Sequence, residues 1–191
     1  MSETIVETVY FDKPGPANTR RTLEIARRRA VELDIDTVLV ATTRGDTGVQ
    51  AAEMFQDRSL VVVSHSTGFS ERNVQQLTDE NRAAIEAGGG TILTCQHAFG
   101  GVNRAVRKKL GTYLTDEIIA YTLRVFGQGT KVCAEIALMA ADAGLAVVGE
   151  PCIAVAGSGR GADTAIVLVP ANAQEFFDLS VMEILAKPRC P

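Results

Sequence analysis

Short apolar runs alternate with single helical stretches along most of this chain, and that rhythm leaves few folds open. Residues 5–11 (IVETVYF), Thr37–Thr42 (TVLVAT), Ser59–Ser64 (SLVVVS), 91–96 (TILTCQ), 151–156 and 163–169 (DTAIVLV) read as strands. Between them lie helical patterns. Residues 18–33 carry Leu23, Ala26, Ala30 and Leu33 on one face, and a second helix runs to Gln56. Residues 71–87 form a third, halted by Gly88, Gly89 and Gly90. The spacing predicts two short helices within 101–127, the second capped by Thr115, and a longer one over 130–143 with Val132, Ile136, Met139 and Ala143 in a stripe.

Strands joined by single helices form βαβ units and hence a parallel sheet. Runs 37–42 and 59–64 are apolar throughout, as in strands covered on both faces. Only a loop of about seven residues separates the last two strands, too short for a parallel crossover. The expected architecture is therefore a single α/β domain over 1–191. It is a three-layer α/β/α arrangement with a mainly parallel sheet, a final antiparallel strand and a small helical excursion near 100–130.

Composition narrows the function. The 191 residues carry a net charge of -4, with 46% hydrophobic and 22% charged residues, which excludes a disordered chain. Without a basic excess, neither nucleic acid nor an anionic membrane is an expected partner. No apolar window reaches the ~18 residues of a membrane span, and the first residues lack a basic and apolar leader. Cys95, Cys133, Cys152 and Cys190 are scattered, as expected of reduced, mostly buried thiols in a cytoplasmic protein. With only two histidines, a metal site built on imidazole is not expected.

In open parallel sheets, ligands bind outside the carboxyl ends of the strands. Five loops fall there: DKPGPANT (12–19), TRGDTG (43–48), HSTGFS (65–70), HAFGG (97–101) and GSGRGAD (157–163). All combine glycine with polar or charged residues, whereas opposite loops such as LDID (33–36) are plain. TRGDTG joins a buried strand to a helix. Gly45 and Gly48 would let backbone approach a ligand, helix-start amides suit a phosphate, and Thr42, Thr43, Arg44 and Thr47 could add contacts. The alternative is that Asp46 or Thr47 merely caps the helix around a turn at Gly45.

GSGRGAD precedes a strand, so it fails the context of a dinucleotide fingerprint. It is either a glycine hairpin or an anion-binding nest of amides at Gly157, Ser158 and Gly159, with Arg160 as charge partner. Lys13, Asn18, Ser64, His65 and His97 complete the expected wall. No GxxxxGK[ST] pattern occurs. Cys95 and His97 lack a third group at suitable spacing for a nucleophilic or metal site. With His65 they are nonetheless the obvious proton-transfer groups if the crevice is catalytic. Arg20, Arg21, Arg27, Arg28 and Arg29, interleaved with Glu24 and Glu32, read as a solvated helix face. Arg104, Arg107, Lys108 and Lys109 read as surface charge beside the crevice.

Two long stretches carry a resemblance. TLEIARRRAVELDIDTVLVATTRGDTGVQAAEMF and KVCAEIALMAADAGLAVVGEPCIAVAGSGRGADTAIVLV resemble the C-terminal α/β domain of pyruvate kinase over residues 17–170. The chain, starting YFDKPGPANT, is similar to stand-alone proteins of that domain family. The resemblance implies phosphate binding through residues 42–48 and, through the later glycine loop, 157–161. It also implies flavin mononucleotide (FMN) as the leading ligand. Arg44 stands where pyruvate kinase usually has serine, and 97–130 is longer than the matching segment. The catalytic barrel is missing, so pyruvate kinase activity is not implied. Three roles follow: a small-molecule-binding protein, a flavin-dependent or phosphometabolite enzyme, or a regulatory module whose ligand biases assembly into a homo-oligomer.

Overall fold

The computed structural model describes residues 3–189; Cys190 lies outside them. The strands are β1 (Val9–Phe11), β2 (Thr37–Thr42), β3 (Ser59–Ser64), β4 (Thr91–Thr94), β5 (Cys152–Ala156), β6 (Thr164–Val169) and β7 (Ser180–Pro188). The helices are α1 (Thr19–Glu32), α2 (Asp46–Met54), α3 (Asp79–Ala87), α4 (Val102–Leu110), α5 (Thr115–Arg124) and α6 (Gln128–Asp142). They form one seven-stranded sheet in the order β1-β7-β6-β5-β2-β3-β4. β6 is antiparallel to both of its neighbours, and every other pairing is parallel.

Alternation along the central strands explains the two covered faces. Val38 and Val40 of β2, Val62 of β3, and Ile153 and Val155 of β5 face α1, α2 and α3. Leu39, Val61, Val63, Cys152 and Ala154 face α6. The handedness of crossovers assigns these layers. From β2 the chain steps through α2 and α3 to β3 and β4, then returns past them to β5. Reversing direction puts the returning helix on the opposite face. Helix α6 is buried along nearly its whole length because α5 covers its outer side through Ala120, Ala134, Leu138 and Phe99. The predicted excursion is thus α4 and α5, stacked outside α6.

Several local expectations are revised. The antiparallel strand exists, but it lies inside the sheet and β7 follows it. β7 is exposed at its start and is held to α1 by Arg29, whose Nε and Nη2 donate to the two oxygens of Glu183 at 2.8 and 2.6 Å. Arg29 is therefore an anchor rather than part of the solvated basic face. Thr115 is the first residue of α5, after Leu114 at the cap position. Residues 71–77 are irregular, and α3 starts only after Thr78, whose Oγ1 accepts from the Asn81 amide at 3.2 Å. Tertiary bonds hold that segment open: Gln75 Nε2 donates to the His65 carbonyl at 3.0 Å, and Gln76 Oε1 lies 2.8 Å from His65 Nδ1. β1 covers only three residues because it pairs on one side alone.

Candidate functional site

A cleft of about 540 Å³ opens at the carboxyl ends of β2 and β3, between the loops after β2 and β5 and the first half of α6. The location follows from topology. β2 and β5 are neighbours, yet the chain leaves them in opposite directions, so the loops that follow them diverge and leave a crevice.

The floor comes from the β2–α2 turn. Thr42 Oγ1 accepts from the Gly45 amide at 3.1 Å, while Asn81 Nδ2 donates to the Arg44 carbonyl at 2.9 Å. Gly45 takes φ +110°, and a Cβ there would collide with Asn81. Gly48 packs so closely that a Cβ would lie 2.7 Å from Ile85 Cδ1. No side chain caps α2; Asp46 and Thr47 fall inside its first turn. Thr42, Thr43, Arg44, Asp46 and Thr47 line the cleft, whereas Gly45 and Gly48 shape it from behind.

The second wall gathers both histidines. Ser64 and His65 line the cleft, with Ser64 Oγ 2.6 Å from Thr94 Oγ1. Gln76 Oε1 fixes the proton on His65 Nδ1 and leaves Nε2 as an acceptor. Burial lowers the basicity of His65, partly opposed by Gln76, so the ring is neutral near pH 7. His97 Nε2 accepts from the Ser66 amide at 3.4 Å, and its Nδ1 lies 3.7 Å from Glu135 Oε2. The rings of Phe69 and His97 stack at 4.8 Å, and the Arg104 guanidinium lies 4.9 Å from the Phe69 centroid.

The third wall was not anticipated. Lys131 and Glu135, one turn apart on α6, line the cleft with side chains only 5% and 4% exposed, joined by a 2.5 Å bond from Nζ to Oε2. The Phe99 amide donates to Glu135 Oε1 at 3.1 Å. Burial opposes the Glu135 charge, yet His97 and Lys131 prevail and hold its pKa down at about 2. Burial lowers the Lys131 pKa against the opposing pull of Glu135, with Arg124 and Arg104 adding to the lowering. Arg124 and Gln128 line the same wall, linked by a 2.7 Å bond. The signal was a Lys and a Glu four apart within a helix otherwise rich in alanine and other apolar residues.

The loop after β5 is organised from within. The amides of Gly15 and Ser158 donate to Oδ2 of fully buried Asp163 at 3.0 and 3.2 Å, and the hydroxyls of Ser158 and Thr164 donate to its Oδ1. Ser158 is thus turned to an internal carboxylate, while Gly157, Gly159 and Arg160 line the cleft. Lys13 and Asn18 do not. Asn18 Nδ2 donates to the Lys13 carbonyl at 2.8 Å, folding the loop after β1 on itself. Cys95 packs into the core under α6, and burial pushes its thiol up, away from nucleophilic character. Cys133 and Cys152 are buried with thiols also raised by burial.

Among the described residues, no helix is long and apolar enough to cross a membrane. A pyruvate kinase from Cryptosporidium parvum, solved in complex with ADP, superposes on 89% of this chain with a TM-score of 0.39 and 11% identity; the chain spans 24% of that enzyme's length. Residues 20–168, which hold every wall of the cleft, match the pyruvate kinase alpha/beta domain, and the chain belongs to that family.

Proposed function

We propose that this protein binds a phosphorylated small molecule in the cleft. One observation carries the reading: in a chain of net charge -4, the cleft is lined by Arg44, Arg104, Arg124, Lys131 and Arg160 against only Asp46 and Glu135. Arg44 and Arg160 are exposed at the mouth, Arg104 and Arg124 are half-buried, and Lys131 is buried deepest. An anion entering this gradient meets positive potential throughout, and the uncapped start of α2 offers amides to its oxygens. The volume suits a ligand of cofactor size, since such sites run ~300–1,000 Å³.

FMN is the leading named ligand. The stacked Phe69 and His97 rings offer a face for a planar ring system, with the phosphate directed toward Arg44 and the start of α2. The purified protein would be examined for bound flavin by visible absorption and mass. It would then be melted with FMN, riboflavin and inorganic phosphate. Stabilisation by FMN and phosphate but not riboflavin supports the full reading. A shift with phosphate alone retains the anion site and removes FMN, and no shift with any of the three overturns both.

A further inference from the structure

The cationic lining does not account for the carboxylate paired with its deepest member. Lys131 and Glu135 sit in the wall of the cleft, almost wholly withdrawn from water, where a merely cationic pocket needs no buried carboxylate. The charged groups that bear on the lysine line the same cavity: Glu135 on its own helix, Arg104 on α4 and Arg124 on α5, with His97 facing Glu135 from the loop after β4. The ammonium also lies 5.5 Å from the Phe99 ring centroid. We infer that Lys131 is an imine-forming residue, and that the cleft takes a small aldehyde or ketone bearing a phosphate. This rests on the anion-binding reading for the phosphate and on the lysine alone for the carbonyl.

The chemistry fits the site. Lys131 gives up one proton to solvent through the cleft, and its nitrogen lone pair then adds to the carbonyl carbon. The C–N bond forms as the C=O π pair moves to oxygen, which takes a proton. One proton then passes from the nitrogen to that oxygen, the C–O bond breaks to release water, and the nitrogen lone pair forms the C=N bond of a protonated iminium. Overall an ammonium and a carbonyl give an iminium and one water, with no change in charge and no oxidant or reductant. Glu135 therefore faces a single positive charge before and after, and lacks one only at the neutral amine stage between them. Burial, helped by Arg124 and Arg104, eases the initial loss of the proton relative to an exposed lysine. His65, which lines the same cavity with its Nδ1 held by Gln76, is the group that would move protons at the carbonyl oxygen or the adjacent carbon.

The test is reductive trapping of the full chain. Dihydroxyacetone phosphate, and separately dihydroxyacetone, would be added with cyanoborohydride, which donates hydride to an iminium and fixes the adduct as a secondary amine. Peptide mapping then reads the position. The expected result is one adduct per chain at Lys131, formed at least about tenfold faster than at exposed Lys108 or Lys109. Labelling at Lys131 no faster than at those surface lysines overturns the proposal. Equal Lys131 labelling by the two probes upholds the imine and removes the phosphate requirement. Thermal stabilisation by the phosphorylated probe without Lys131 labelling removes the imine and leaves the anion site. Lys131→Arg keeps the charge facing Glu135 but cannot form an imine, and labelling at that position should vanish. If that variant does not fold, the wild-type map decides alone.

Discussion

Lys131 Nζ donates to Glu135 Oε2 across one turn of α6, and the same carboxylate accepts the Phe99 amide and faces His97 Nδ1. One acidic side chain thereby ties α6 to the loop after β4 and holds the lysine in the cleft wall. Removing one partner leaves the other charge buried, which costs about 3–5 kcal/mol in comparable pairs. Glu135→Gln should therefore lose about that much in urea unfolding, and Lys131→Met added to it should recover a large part. A single variant as stable as the wild type would show that the pair is hydrated.

The pair also predicts an acid limit. Glu135 has its folded pKa at about 2, below the ordinary glutamate value of ~4.3. A depressed carboxylate contributes stability that is present above the ordinary value and lost as pH falls through the folded one. Unfolding free energy should decline between about pH 4.5 and pH 2 in the wild type, with a shallower slope in Glu135→Gln. Parallel slopes would assign the decline to other carboxylates.

His65 predicts the opposite pH trend for ligand. It is neutral near pH 7 because burial disfavours its charge, so acidification adds a cation to a cleft that already holds Arg104 and faces His97 and Glu135. Binding of sulfate, whose own charge is constant there, should tighten between about pH 7 and pH 5. His65→Gln should flatten that dependence in calorimetric titration, and an unaltered profile would remove His65 as its source.

Arg44 stands at the mouth beside the start of α2. Arg44→Ala should weaken phosphate binding by about tenfold, near the 1.5–3 kcal/mol of a charged hydrogen bond, while leaving the melting temperature of the free protein unchanged. A loss of stability instead would mean that its side chain serves the fold.

The start of α2 gives a packing prediction. In Gly48→Ala the new methyl would sit 2.7 Å from Ile85 Cδ1 and 2.8 Å from Val62 Cγ1, and overpacking of this kind costs about 1–3 kcal/mol. Where relief comes from a shift of the helix start rather than of the Ile85 and Val62 side chains, phosphate affinity should fall with stability. Loss of stability with full affinity would separate the turn from the site.

The β2–α2–β3 unit and the edge on which the cleft-lining loops gather are legible in residues 37–64, because strands buried on both faces must be apolar throughout and glycine and polar groups concentrate in the βα turns at that edge. Arg44, His65, His97 and Arg160 were accessible by the same logic, each lying just beyond a strand. Lys131 and Glu135 were not. Helical periodicity reports that residues share a face but not what covers it, and that face meets the cleft only because the chain doubles back from β4 to β5 on the other side of the sheet. The same distance in sequence hid the role of Asp163, whose partners include Gly15, and the placement of β7, whose anchor is Arg29. Local pattern thus specifies elements and the loop-bearing edge, since both depend on neighbours a few residues away. The placement of β7 depends on contacts more than 100 residues apart, such as the 154 between Arg29 and Glu183, and the setting of Glu135 on the Phe99 amide 36 residues away, so both came only with the folded chain.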